Sequence, residues 1–424
     1  MANKGYKFRL YPTPEQEQYL ARCFGCSRFV YNHFLRLIID AYAESKKHLK
    51  YTDTAKLLTI LKKDEQYSWL TEVNSQSLQQ TLKDLESAFI RFFKKLGDFP
   101  VFKKKRNRQS FRIPQHWSIT PDGMLKLPKM QPIKMVQQTL EDSLTLRYRE
   151  MEGTPSSVTI SKTPTGKYYA SILVEYDPKE APLNGGKIGA DLGLKDFLIT
   201  SEGKKYPNPR FYKRALKRLK RLQRSLARKV KGSNNRRKQR LLVARAHEKV
   251  TNQRLDMQHK LSLQLTCDNQ VVAVEDLQIK GMVKNHKLAQ AISDAAWGQF
   301  LTMLEYKGKL YGCEIRKLDR FFPSSKRCSK CGYIHEHLTL DVREWTCPEC
   351  DTYHDRDVNA STNILVFSDP QIRQELPKFT PKEPALETGV PRGLLLGLGK
   401  LRGLVPAVIH FDRHESYQIG FNDP

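Results

Sequence analysis

Asp191 in KIGADLGLKDFLITSEG, Glu275 in QVVAVEDL and Asp357 in HDRDVNASTNIL are three carboxylates carried by three well-separated segments. The first two stand in or at the end of apolar, β-branched stretches, where burying a charge is costly unless a cation or a hydrogen-bond partner compensates it. Three such carboxylates can hold two divalent cations. A pair of ions about 4 Å apart activates a water and stabilises the leaving oxygen in phosphodiester hydrolysis. Oxygen ligands favour Mg²⁺ or Mn²⁺ over zinc. A second metal signal lies between the second and third carboxylates. Cys328, Cys331, Cys347 and Cys350, in CSKCGYIHEHLTLDVREWTCPEC, form two CxxC pairs at zinc-ribbon spacing. Four thiolates close a tetrahedral shell and leave no position for water, so this Zn²⁺ is expected to be structural.

Three carboxylates can converge only if their elements are arranged for it. KIGAD reads as a strand ending near Asp191, followed by a Gly-containing turn and a second strand, FLIT, with a hairpin at Glu202-Gly203. A sheet built like that of ribonuclease H begins in this way. VVAVE reads as a continuously apolar buried strand with Glu275 at its end, and side-chain alternation sends Asp276 to the opposite face. In the third segment Asp357, Ala360, Ser361 and Ile364 share one helical face, which turns Asp357 toward the sheet. Asp355 is better placed as the helix cap.

The charge balance supplies the partner. A formal net charge of +28 over 424 residues, with a pI near 9.7, implies a polyanionic partner, nucleic acid first, and room for two or three domains. From Arg210 to His247 no acidic residue occurs while Lys and Arg are dense. Leu216, Leu219, Leu222, Leu226 and Val230 form an apolar stripe there, and 232–235 make a break, which predicts a basic helical hairpin over 209–265. Lys217, Arg218, Arg221 and Arg224 on its exterior are candidate nucleic-acid contacts. No apolar run reaches the ~18 residues a bilayer requires, and the first residues lack a signal-peptide core. Cys23, Cys26, Cys267 and Cys313 read as buried thiols of a reducing compartment. A soluble, cytoplasmic chain with no membrane partner is expected.

Upstream, Tyr6, Phe8 and Leu10 alternate with Lys7 and Arg9 as in a half-buried strand. Thr13, Pro14 and Gln16 then signal a capped helix, which Gly25 is expected to break before a second one. From Ser75 to Leu96, Leu78, Leu82, Leu85, Phe89 and Phe92 recur at helical spacing. The opposite face carries Gln76, Gln79, Gln80 and Lys83, which are either a solvated surface or readers of base edges. Lys103, Lys104, Lys105, Arg106 and Arg108 lie between Phe102 and Phe111, combining cations for phosphates with rings for stacking. Strands MLKLP, SLTLRYR and a hairpin about Thr165-Gly166 suggest a small barrel over 111–180, completed by residues 1–12, with the helical residues 13–110 inserted. Residues 369–424 read as a disordered tail rich in Pro and Gly.

Taken in order, GCSRFVYNHFL, FKKKRNRQSFRIP, GADLGLKDFLITSEG, the basic hairpin, VEDL, RFFPSSKRCSKCG, CPEC and DRDVNASTNIL resemble the TnpB family of transposon-encoded proteins. The match covers nearly everything before the tail. The resemblance implies an RNA-guided DNA endonuclease, similar to type V CRISPR nucleases. It also implies a multidomain α+β architecture: a wedge β-barrel with an inserted helical recognition region, then a RuvC-like, RNase H-like nuclease over 181–322 and 354–368 interrupted by a zinc ribbon at 323–353. Matched position by position, the family's catalytic triad falls on Asp191, Glu275 and Asp357. The implied partners are a guide RNA from the transposon end and double-stranded target DNA beside a short flanking motif, for which Gln76 and Gln80 are candidate readers. The oligomeric state stays open, with a monomer favoured. Two departures are small: Asp351 stands where Gly often follows the last CxxC, and Ser361 replaces a common Ala. A nuclease-inactive RNA-guided repressor and a guide-independent nuclease or transposase remain alternatives.

Overall fold

The computed structural model describes residues 2–46, 48–106, 108–135, 151–177, 185–339 and 341–375. The expected strand SLTLRYR and residues 376–424 of the expected tail lie outside them, whereas the start of that tail is ordered, with Pro370–Glu375 a short helix and Asp369 paired with Arg316 at 2.6 Å. The described residues form two compact units, one up to residue 177 with Leu241–Asn252, the other from 185 to 240 and onward from 253.

In the first unit, β1 (Ala2–Tyr11) is followed by α1 (Pro14–Ser45), α2 (Tyr51–Leu61), a 3-10 helix (Glu65–Glu72) and α3 (Ser75–Phe93). Then come β2 (Gln109–Ile113), β3 (Ser118–Ile119), β4 (Leu125–Lys126), β5 (Lys134–Met135), β6 (Thr154–Lys162) and β7 (Tyr168–Tyr176). Five strands pair antiparallel in the order β2-β6-β7-β1-β5, so the three helices lie in the chain between two strands of one sheet. The β6–β7 turn places Gly166 at φ +82°, a conformation that costs glycine little. Leu78, Leu82, Leu85 and Phe89 of α3 enter a common core with Tyr6 and Leu10 of β1.

The start of α1 has the expected capping box, with Thr13 and Gln16 bonding each other's backbone amides. The expected break at Gly25 does not occur, and the helix runs on for 32 residues. A mid-helix glycine costs about 1 kcal/mol relative to alanine. Burial of Cys23, Phe24, Cys26, Ser27 and Val30 around it offsets that cost.

The second unit opens with β8 (Lys187–Asp191), β9 (Asp196–Thr200), β10 (Lys205–Pro207), α4 (Phe211–Ala227) and α5 (Asn234–Asp268). It continues with β11 (Val271–Glu275), α6 (Ile279–Met282), α7 (Ala289–Ala295), α8 (Trp297–Tyr311) and β12 (Glu314–Leu318). A short hairpin of β13 (Glu344–Thr346) and β14 (Tyr353–Asp355) precedes α9 (Arg356–Phe367) and α10 (Pro370–Glu375). The sheet order is β10-β9-β8-β11-β12, antiparallel across β8–β10 and parallel across β8, β11 and β12. Ile188, Ala190, Val272 and Val274 face a core shared with Trp297, Phe300 and Leu304 of α8. On the other face Ala273 packs with Leu318, Phe322 and Ile364 of α9.

Helices α4 and α5 make the basic hairpin, turning at Gly232 (φ +80°). Its α4 end is anchored by Asp294, whose two carboxylate oxygens accept from the amides of Tyr212 and Lys213 at 2.9 and 3.0 Å while Arg254 of α5 donates from 3.2 Å. Leu219 and Leu226 are buried, but Val230, read above as part of the stripe, is 76% exposed, because α4 has already ended. Cys267 is likewise exposed where a buried thiol was expected, lying one residue from the end of α5.

Candidate active site and metal centre

Asp191 ends β8 and Glu275 ends β11. The two parallel strands are in register from Lys187↔Val271 to Ala190↔Val274, so the carboxylates take the next rung, side by side on adjacent strand ends. Alternation puts both on the face covered by α9, together with Gly189 and Ala273. Asp357 is the second residue of α9, one turn before Ser361. The helix lies so close to β8 that a Cβ on Gly189 would sit 1.9 Å from the Ser361 carbonyl oxygen. Glycine at this position is therefore what lets α9 settle on the strand, with Asp357 near enough for its charge to act on Asp191.

The electrostatics record that convergence. Burial first, then the negative charge of Glu275 and of Asp357, pushes the Asp191 carboxyl up to about 8, against a smaller opposing effect of Arg356. Glu275 is also raised by burial, although the Ser324 hydroxyl donates to its Oε1 at 2.6 Å. Asp357 is ion-paired with Arg343 at 3.2 Å and with Arg356 at 3.4 Å. Asp355 caps α9, accepting from the amides of Asp357 and Val358, and receives Lys205 on its other oxygen. Asp276 turns away from the trio and pairs with Arg320. A half-buried set of acidic side chains with one carboxyl held this high is short of positive charge, and divalent cations on oxygen ligands would relieve the deficit.

The four ribbon cysteines gather independently. Their sulfurs lie within 4.8 Å of one another, with Cys331–Cys347 at 3.5 Å and Cys328–Cys350 at 3.7 Å. A tetrahedral shell with Zn–S near 2.3 Å spaces its sulfurs by about 3.8 Å, so the set fits zinc. Trp345 and Leu338 form a small core against Cys328 and Cys347. His354 Nε2 lies 3.1 Å from Cys328 Sγ, and the Thr352 hydroxyl and amide hold the Cys350 thiol down to about 6. Asp351 adopts the left-handed backbone (φ +52°) that the knuckle requires, with its amide on the Cys347 carbonyl at 2.9 Å.

The nucleic-acid candidates are less alike. Lys217, Arg218, Arg221 and Arg224 are exposed on α4. Lys103, Lys104, Lys105, Arg106 and Arg108 are all exposed, but Lys103 is also pinned: Asn32 bonds both its amide and its carbonyl, and its ammonium lies 3.8 Å from the centre of the Tyr31 ring. Phe111 is a core residue against Phe24, not a free stacking ring, and Phe102 already faces Arg36. Gln76 and Gln80 are half-buried, with amide nitrogens on Gln115 and Asp84, and Gln79 and Lys83 are exposed. Sequence reasoning missed Arg343, Ser324, Asn359 and Asn363. Arg343 is one of 73 Lys and Arg residues, so only its placement distinguishes it.

Three family models match the chain: one described as "Probable transposase" over residues 171–286, one as "Cas12f1-like, TNB domain" over 297–364, and one as "Helix-turn-helix domain" over 1–47. In the last span the described residues hold one strand and the single long α1. A protein of Streptomyces pristinaespiralis named "Putative RNA-guided DNA endonuclease" is 41% identical over 366 residues, spanning 85% of this chain and 88% of that one. A protein of Escherichia coli (strain K12) named "Putative RNA-guided DNA endonuclease InsQ" is 30% identical over 380 residues, spanning 85% and 91%. Among solved structures, a chain of "Cryo-EM structure of the Cas12f1-sgRNA-target DNA complex" aligns with a TM-score of 0.53 at 14% identity, over 87% of this chain and 99% of that one, which shows a shared fold.

Proposed function

The chain belongs to the TnpB family of RNA-guided DNA endonucleases, and from that premise we propose that it binds a guide RNA and hydrolyses phosphodiester bonds of target DNA beside a short flanking motif. The observation carrying the chemical half of this reading is that Asp191 and Glu275 end adjacent parallel strands on the sheet face covered by α9, whose second residue, Asp357, is near enough for its charge to act on Asp191. These residues would hold Mg²⁺ or Mn²⁺, whose chemistry when bound is to activate water and stabilise the leaving oxygen.

The chain's own residues set that arrangement in place. Gly189 admits α9, Asp355 fixes the first turn of the helix, and Arg343 and Arg356 steady the Asp357 carboxylate. The four thiolates would hold a structural Zn²⁺ with no open position, so it takes no part in hydrolysis. In this reading residues 1–12 and 111–180 are a wedge barrel, 13–110 the recognition region, and 181–322 with 354–368 a RuvC-like nuclease around the ribbon at 323–353. Base pairing with the guide would read sequence, while protein side chains hold the heteroduplex by its backbone. The hairpin cations and the 103–108 segment supply charge for those contacts, and Gln76 and Gln80 are the candidates for the flanking motif. A monomer acting in the cytosol is the simplest form consistent with this role.

The test is cleavage of a matched duplex with a randomised flank by the protein purified with RNA from its own locus. Guide-dependent cuts that vanish in Asp191→Ala, with guide and target binding retained, support the reading. Retained cleavage in that variant refutes the carboxylate assignment.

A further inference from the structure

The turn entering the zinc knuckle is bonded on both sides to the candidate nuclease centre. On one side the Ser324 hydroxyl donates to Glu275 Oε1 at 2.6 Å, and Ser324 is itself only 7% exposed. On the other side two asparagines one turn apart on α9 hold the same turn. Asn363 Nδ2 donates to the carbonyls of Ser324 (2.8 Å) and Arg327 (2.6 Å), and Asn359 Nδ2 donates to the Arg327 carbonyl at 2.7 Å. Asn359 Oδ1 then accepts from the amide of Ser329, inside the first CxxC pair, at 2.9 Å. Both asparagines are buried. The run from Ser324 to Ser329 is thus fixed to the helix that carries Asp357, while its first residue reaches the carboxylate on β11.

We propose that Ser324 is a positioning residue for Glu275, held in register by Asn359 and Asn363, and that through it the zinc knuckle tunes the divalent-ion affinity of the nuclease centre. The inference rests on the metal-centre reading above. A carboxylate offers about four lone-pair sites. The Ser324 bond takes one and orients the rest, a role that outer partners of metal-binding carboxylates commonly serve. Glu275 is the member of the trio at a strand end with a long, rotatable side chain, so it gains most from such a fix. The asparagines explain why a serine hydroxyl on a turn can be rigid enough: its own carbonyl and that of Arg327 are both tied to α9.

The test compares Ser324→Ala and Ser324→Thr with the natural chain, each full-length and loaded with guide RNA. Mn²⁺ binding is followed by electron paramagnetic resonance, with the Asp191→Ala complex as the blank for ions held by RNA. Zinc content is measured alongside. The expected result is an Asp191-dependent Mn²⁺ affinity about 10–100-fold weaker in Ser324→Ala. Unchanged zinc content and guide binding, and recovery of most of the affinity in Ser324→Thr, are part of the same expectation. The Mg²⁺ concentration for half-maximal cleavage should shift in step. Unchanged Mn²⁺ affinity in Ser324→Ala overturns the proposal, as does a loss in which zinc or guide binding falls equally, since that marks a purely structural role. A natural chain with no Asp191-dependent Mn²⁺ site would overturn the metal centre first, and this inference with it.

Discussion

Asp191 is the residue at which burial and like charge meet most strongly. With its carboxyl pushed up to about 8 against an ordinary 3.8, the ion-free folded protein keeps a proton there that the unfolded chain has released. The stability this group contributes is therefore full below the ordinary value and is lost as pH rises through the folded one. The melting temperature measured without added divalent ion should fall more steeply from about pH 5 to pH 8 in the natural chain than in Asp191→Asn. Equal slopes would show that Asp191 is not held protonated. Mg²⁺ should flatten the natural chain's slope, because the ions replace the proton as compensation. At the same scale, the strand-end placement of Asp191 and Glu275 was legible because a charge at the end of an apolar stretch is conspicuous. Arg343 and Ser324 were not: each matters through a partner 14 or more residues away, and nothing local marks it.

At the scale of elements, the packing of α9 on β8 sets the site, and it depends on Gly189. Gly189→Ala places a methyl 1.9 Å from the Ser361 carbonyl oxygen, so the helix must move and carry Asp357 with it. We expect a stability loss of about 1–3 kcal/mol by denaturant unfolding, with a matching loss of cleavage. A variant as stable and active as the natural chain would mean that the helix is not seated this way. The basic hairpin has its own anchor in Asp294. Asp294→Ala uncaps α4 and leaves Arg254 buried without that carboxylate, which should cost about 3–5 kcal/mol. A loss below about 1 kcal/mol would show that the pair is not held as described. The capping box at Thr13, the turns at Gly166 and Gly203 and the cap at Asp355 could be read beforehand because each is written in four or five adjacent residues. The break expected at Gly25 failed for the opposite reason. A local propensity of about 1 kcal/mol gave way to packing of Phe24, Cys26 and Val30 in a core whose distant members, such as Phe111, no window around Gly25 contains.

At the scale of the whole chain, the net charge of +28 points to nucleic acid, and salt should govern the affinity. Each phosphate contact contributes about 0.9 to the slope of log affinity against log salt on duplex DNA. Replacing Arg218 and Arg221 by alanine should lower that slope by about 2 if both touch phosphates. An unchanged slope would move the interface off α4. The order of the motifs along the sequence was enough to name the family, since two CxxC pairs between the second and third carboxylates form a pattern with few alternative explanations. Which side chains face nucleic acid was not, because exposed Lys and Arg occur throughout the chain and helical spacing alone does not separate a binding face from a solvated one.

The most direct test is to purify the protein with RNA from its native locus, sequence that RNA, and incubate the complex with Mg²⁺ and a matching duplex beside a randomised flank. The account predicts cuts that require the guide match, cluster beside one short flanking motif, and disappear in Asp191→Ala while target binding persists. Specific RNA with target binding but no cutting by the natural chain, or cutting that survives Asp191→Ala, would contradict it.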